Sequence, residues 1–204
     1  MEILFWALAI VAGYLLGNIN GAIIISKWLM KDDVRKHGSG NAGLTNFFRT
    51  YGGFQSLLVI VLDIVKCVLA CLLAGWLLPA YGLTAKMAAG VACILGHSYP
   101  VFAGFRGGKG ILSGLALAAS TDWRIAVVIL ALFIVVVALT RYVSLGSILA
   151  TLTFGILYSV LHWGNWPVIA MAWFVAVFVI WRHRSNVVRL CKGTESKLSF
   201  HKKK

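Results

Sequence analysis

The chain has 204 residues, 60% of them hydrophobic and only 12% charged, with eight tryptophans, and that composition excludes a soluble globular domain. A formal net charge of +13 would suit nucleic acid in a soluble protein, but here the basic residues stand at the ends of apolar runs and at the C-terminus. There they face membrane lipid headgroups or an anionic ligand, so no nucleic-acid partner is expected.

The first apolar run is too long for a signal peptide and has Glu2 where a basic leader would be, so it is expected to remain as a helix. Membrane helices are expected at 3–26, 54–78, 85–104, 109–120, 124–140, 145–161 and 166–181. The fourth is short for a span of about 20 residues, and charge decides whether it counts. With seven spans and the N-terminus outside, Lys27, Lys31, Arg35, Lys36, Arg49, Arg106, Lys109, Arg141 and the basic tail share the cytoplasmic side. Only Lys86 and Arg124 remain outside, as the positive-inside tendency requires. The expected fold is an all-α integral membrane protein of seven transmembrane helices, N-terminus outside and C-terminus cytoplasmic, forming a single domain over 1–204. Cys67, Cys71, Cys93 and Cys191 form no C-x-x-C and read as packing residues.

The outer connections near 78–82, 122–123 and 162–167 read as plain turns, whereas 27–53, 105–110 and the tail from Arg182 are long or polar. Function is therefore expected on the inner face. Residues 37–49 combine flexible positions with Ser39, Asn41, Thr45, Asn46 and Arg49, which suits a loop wrapping a phosphate; an ordinary linker with an anchoring arginine has the same composition. Asp63 and Lys66 lie at i, i+3 inside an apolar run, where a self-neutralising pair supports a polar site. His97 either positions a substrate or bonds a neighbouring carbonyl.

Three glycines in four residues, Gly107, Gly108 and Gly110, surround Lys109 and are expected to leave backbone N–H groups free for an anion. The stretch lacks P-loop spacing, and a short basic turn also serves as a plain membrane anchor. Ser144 is expected to cap the sixth span, whose free N–H groups could receive an anion. The tail, read as a helix, places Arg182, Asn186 and Arg189 on one side; a basic segment lying on anionic lipid is the alternative, and Lys202 to Lys204 read as that alone.

Taken together, Ser39-Gly40-Asn41-x-Gly43-x-x-Asn46, Leu62-Asp63-x-x-Lys66, Gly96-His97-x-x-Pro100 through Gly107-Gly108-Lys109-Gly110, Ser144-Leu145-Gly146-Ser147 and Arg182-His183-x-x-Asn186-x-x-Arg189 through Glu195-x-Lys197 resemble the bacterial acyl-phosphate:glycerol-3-phosphate acyltransferase family, in order and over nearly the whole chain. Cys67 departs from the family, which commonly has glycine there.

The resemblance implies acyl transfer from acyl-phosphate to the 1-hydroxyl of sn-glycerol 3-phosphate, giving lysophosphatidate, the first acylation of phospholipid synthesis. It implies no metal and no other cofactor, a site at the cytoplasmic face of the bacterial inner membrane, and an acyl-phosphate-producing enzyme as candidate partner. Carried over by residue, Ser39, Arg49, Lys109 and Asn186 would surround glycerol phosphate, and His97 and His183 would line the pocket. Asn41, Gly43, Asn46, Gly107, Gly108, Gly110 and Ser144 would complete substrate binding, with Asp63 and Lys66 as support. The chain has no H-x-x-x-x-D and no G-x-S-x-G, so a covalent acyl-enzyme is not expected. A transporter or channel for an organic phosphate would also carry a cationic inner pocket, although no inverted repeat is visible.

Overall fold

A computed structural model of the chain describes residues 1–198, all helical or in turns and connections, with no strand among them. The expectation for Lys202 to Lys204 lies outside the described residues. Long apolar runs in a bilayer can satisfy their backbone only within themselves, and here they form helices. The chain divides into two compact units, Met1–Asp122 and Trp123 onward.

The N-terminal unit contains α1 (Glu2–Gly17), α2 (Gly21–Trp28), α3 (Leu44–Tyr51), α4 (Gln55–Leu77), α5 (Gly82–Ser98) and α6 (Ile111–Thr121). Helices α1, α4 and α5 pack on one another, and α6 packs on α4 and α5. Small residues let α1 and α5 approach closely: a Cβ added at Gly13 would lie 2.6 Å from the Ala89 carbonyl oxygen, and one at Gly96 would meet the carbonyl of Tyr14.

The expected first span, 3–26, is two helices bent by 42° at Asn18–Asn20. Asn20 caps α2 by accepting from the Ile23 N–H at 3.1 Å. The interrupted end of α1 is served by Lys66 of α4, whose Nζ donates to the Ile19 carbonyl (2.9 Å) and shares that hydrogen with the more distant Gly17 carbonyl (3.3 Å). Helix α5, the third expected span, begins at Gly82 and stops at Ser98, short of the expected 104. Proline at 100 disfavours helical geometry at Tyr99, which is extended in φ with ψ 63.

The segment between α2 and α3 carries a 3-10 turn, Val34–Lys36, and is folded onto a small core of Ala22, Ile23, Ile25, Val34, Ala42, Phe47 and Val59. The helix α3 itself was not expected from the sequence.

The second unit contains α7 (Trp123–Thr140), α8 (Val143–Leu161), α9 (Trp166–Arg182) and α10 (Arg184–Cys191). Helix α8 packs between α7 and α9, and α10 touches both α8 and α9. The tail is not continuous with Arg182: α9 and α10 meet at 56° around His183. Arg182 thus ends one helix, while Asn186 and Arg189 belong to the next.

By length and composition α4, α7 and α8 can each cross a membrane, and the bent pairs α1–α2 and α9–α10 bring the number to five. Helix α6, at 11 residues, rises only about 17 Å against a hydrocarbon core of about 30 Å. Large apolar side chains stand exposed along α7, among them Val127, Val128, Ile134, Val135 and Leu139, as a lipid-facing helix requires.

Candidate functional site

The ion pair expected from spacing alone is present. Lys66 Nζ is 2.8 Å from Asp63 Oδ1, both side chains being 2% exposed. It is more than a pair, because Lys66 also reaches His97 Nδ1 at 2.8 Å and Asp63 Oδ1 accepts from the Gly21 N–H at 3.2 Å. Asn20, which sequence reading passed over, joins these parts: its Nδ2 lies 3.1 Å from the Ala42 carbonyl and 3.4 Å from both His97 Nδ1 and the His97 carbonyl. The Gly17-Asn18-Ile19-Asn20-Gly21 run was its signal, submerged in an apolar stretch.

The glycine-rich loop is built differently from expectation. The N–H groups of Gly107 and Gly108 are not free; they donate to the carbonyls of Ser98 and His97, each at 3.1 Å. These bonds fold the loop back onto the end of α5, and they explain why the residues are glycine. A Cβ at Gly107 would meet the His97 carbonyl, and one at Gly108 would meet His97 Nε2 and lie 2.8 Å from the Ala42 carbonyl. Gly110, at φ +86, turns the chain into α6. The first N–H groups of α6 therefore follow Lys109 directly, in the place where a helix leaves donors without intrahelical partners. Ser98 Oγ is fully buried with no hydrogen-bond partner among the described residues, 3.8 Å from where a Gly110 side chain would begin.

Arg35, read from the sequence only as an inner-face charge, braces the approach to this loop. Its guanidinium pairs with Asp33 at 2.7 Å and donates to the carbonyls of Ala103 (2.7 Å) and Arg106 (3.3 Å). The brace matters because Phe105 is held at φ 58, an unfavourable conformation for a bulky residue.

In the 37–43 segment, Asn46 organises the loop itself. Its Nδ2 donates to the carbonyls of Val34 and His37, each at 3.0 Å, and its Oδ1 accepts from the Ser39 N–H at 3.0 Å. Asn41 lies against Gly43, whose added Cβ would fall 2.7 Å from Asn41 Nδ2. Ser39 and Arg49 are exposed, Arg49 on the last turn of α3.

In the second unit the organising group is Glu195, quoted in the tail motif but given no role. Its Oε1 accepts from Ser144 Oγ and from Asn186 Nδ2, both at 2.8 Å, and its Oε2 accepts from Arg189 Nε at 2.7 Å. Burial opposes ionisation, but the hydrogen bonds from Asn186, Arg189 and Ser144 outweigh it and hold the carboxyl below the usual glutamate range. The expected cap at Ser144 is therefore corrected: Tyr142 holds the N-cap position without a side-chain bond, and the Ser144 hydroxyl is given to Glu195. His183 is buried, with Nδ1 2.8 Å from the Val179 carbonyl, so that nitrogen carries the proton.

The family model described as glycerol-3-phosphate acyltransferase matches residues 7–193. A glycerol-3-phosphate acyltransferase of Halalkalibacterium halodurans is 42% identical over 198 residues, covering 96% of each chain. One of Thermoanaerobacter pseudethanolicus is 40% identical over 195 residues, with the same coverage of both. The fold matches the crystal structure of PlsY (YgiH), an integral membrane glycerol 3-phosphate acyltransferase, in its glycerol 3-phosphate form, with a TM-score of 0.88 and 34% identity over 95% of this chain and 96% of that one. The lysophosphatidic acid form of the same enzyme matches with a TM-score of 0.83 and 33% identity over 95% of each chain. On these grounds the chain, an integral membrane protein, belongs to the glycerol-3-phosphate acyltransferase family.

Proposed function

We propose that the chain transfers a fatty acyl group from acyl-phosphate to the 1-hydroxyl of sn-glycerol 3-phosphate, releasing lysophosphatidate and phosphate. The observation that carries the reading is the Gly107–Gly110 loop, tied to the end of α5 so that Lys109 immediately precedes the N–H groups of α6. A lysine in the turn that opens a helix suits a phosphate, and the Ser98 hydroxyl, which has no hydrogen-bond partner among the described residues, adds a further polar group beside Gly110. The matched acyltransferase is described in forms with glycerol 3-phosphate and with lysophosphatidic acid, which are the acceptor and the product of such a reaction.

The chemistry asks for few groups. The glycerol oxygen forms a bond to the acyl carbon, the bond from that carbon to the phosphate oxygen breaks, and the hydroxyl proton ends on a phosphate oxygen. Acyl-phosphate is a mixed anhydride with a good leaving group, so the reaction mainly needs two anions held close with the hydroxyl aimed at the carbonyl carbon. Ser39, Arg49, Lys109 and Asn186 are assigned to this task by their motifs, with Asn41, Gly43, Asn46, His97, Gly107, Gly108, Gly110, Ser144 and His183 in substrate binding.

The whole chain, 1–204, is read as one acyltransferase domain of seven membrane helices, N-terminus outside and C-terminus cytoplasmic, in the bacterial inner membrane. Support comes from the clustering of basic residues between alternate apolar runs and from a family match that covers both compact units. An acyl-phosphate-producing enzyme is the partner the reaction calls for.

Purified protein in lipid, given labelled glycerol 3-phosphate with acyl-phosphate, acyl-CoA or acyl-carrier protein in separate reactions, tests the donor. Lysophosphatidate is expected from acyl-phosphate alone, and Lys109→Ala is expected to lower turnover by about a hundredfold or more while leaving the protein folded. Product from acyl-CoA would overturn the donor. No product from any donor would favour an organic-phosphate transporter.

A further inference from the structure

We propose that Asp63 and Lys66 are a positioning pair: they hold His97 as the neutral tautomer with its proton on Nε2 and turn that N–H toward the Gly108 side of the glycine loop. Two groups within reach of His97 Nδ1 can only donate, the Lys66 ammonium at 2.8 Å and the Asn20 amide nitrogen at 3.4 Å. Asp63 Oδ1 lies farther from that nitrogen, at 3.5 Å, and already receives Lys66 at 2.8 Å and the Gly21 N–H at 3.2 Å, so the nearer donor-only ammonium decides the case. Nδ1 must therefore offer its lone pair. A doubly protonated ring would set a second cation against the ammonium, with one carboxylate to balance both, among groups at most 4% exposed.

The other ring nitrogen is fixed as a consequence. Nε2 occupies the place a Gly108 side chain would take, beside the Ala42 carbonyl, and the His97 carbonyl receives the Gly108 N–H at 3.1 Å. The imidazole thus lies between an ion pair at Nδ1 and the glycine loop, which packs against Nε2. In this setting His97 is a hydrogen-bond donor toward the loop and has no lone pair to serve as a base there. The kinetic consequence rests on the acyltransferase reading, but the tautomer does not.

The test uses full-length protein labelled with ¹⁵N-histidine in lipid nanodiscs, with the His97 signals assigned by their loss in His97→Gln. Wild type should show a pyridine-like Nδ1 and a protonated Nε2. The charge-neutral double variant Asp63→Asn/Lys66→Met, chosen because a single change leaves a buried charge, should lose that preference. It should also raise the KM for glycerol 3-phosphate about tenfold, with kcat changed less, and Lys66→Arg should retain the wild-type tautomer. A protonated Nδ1 in wild type, an unchanged tautomer in the double variant, or an altered tautomer with unchanged KM and kcat would each overturn the proposal. Wild-type protein that shows the Nε2–H ring but transfers no acyl group would overturn the acyltransferase reading and leave the tautomer assignment standing.

Discussion

Asp63 and Glu195 are both buried carboxylates, one in each compact unit, and their neighbours differ in kind. Asp63 lies within a transmembrane helix and is balanced by a lysine three residues away, which also serves two carbonyls and a histidine. Glu195 lies in the irregular tail and is held by a serine 51 residues away, an amide 9 away and an arginine 6 away. A charge within the bilayer is carried where it is paired or hydrogen-bonded inside the bundle, and for Asp63 the counter-charge lies one turn along its own helix. Outside the span, a carboxylate can draw on neutral donors and become the knot that fastens a tail.

The largest effect should come from breaking the first arrangement. Asp63→Ala leaves the Lys66 ammonium buried without its counter-charge, which costs about 3–5 kcal/mol and should lower the thermal unfolding midpoint on the order of 10 °C in detergent. The corresponding change in the tail, Glu195→Gln, keeps the shape and one acceptor oxygen but loses the charge facing Arg189. It should cost about 1–2 kcal/mol and speed tryptic cleavage at Arg189 and Lys192.

Acid should sharpen the contrast. Glu195 has its folded pKa lowered, so it contributes stability in full above its unfolded value near 4.5 and loses it as pH falls through the folded value. Asp33 behaves in the same sense: its hydrogen bond from Arg35 lowers it from 3.8 to about 2, so its contribution is complete above about pH 4 and fades toward pH 2. Unfolding midpoints measured from pH 7 to 3 should fall toward the acid end, with part of that slope absent in Glu195→Gln. The smallest effect is reserved for Ser144→Ala, which removes one of three donors to Glu195 and should cost about 0.5–1.5 kcal/mol in the same melts.

The same contrast explains what could be read from the chain. Asp63 and Lys66 were legible because helical spacing puts i and i+3 on one face, whatever the tertiary structure. Ser144 was misread as a cap because local position suggests capping, and nothing local reveals a carboxylate 51 residues further on. The Gly107–Gly110 loop was legible as a tight turn, but its N–H groups were expected to be free when two of them close onto α5. The break at Asn18–Asn20 was lost because an apolar run on either side outweighed its turn formers. Helix α3 was missed for the opposite reason: eight residues with mixed polarity look like linker until Phe47 and Asn46 are buried.

The bend in the first apolar run also bears on how the protein is made. Its inner carbonyls, at Gly17 and Ile19, find their donor in a lysine 49 and 47 residues later in the chain. A ribosome delivers the first helix well before that lysine, and hydrocarbon offers the exposed carbonyls nothing in the interval. The bend in the first run therefore has its carbonyls satisfied only when the second long apolar run stands beside it, with Lys66 as the latch between the two.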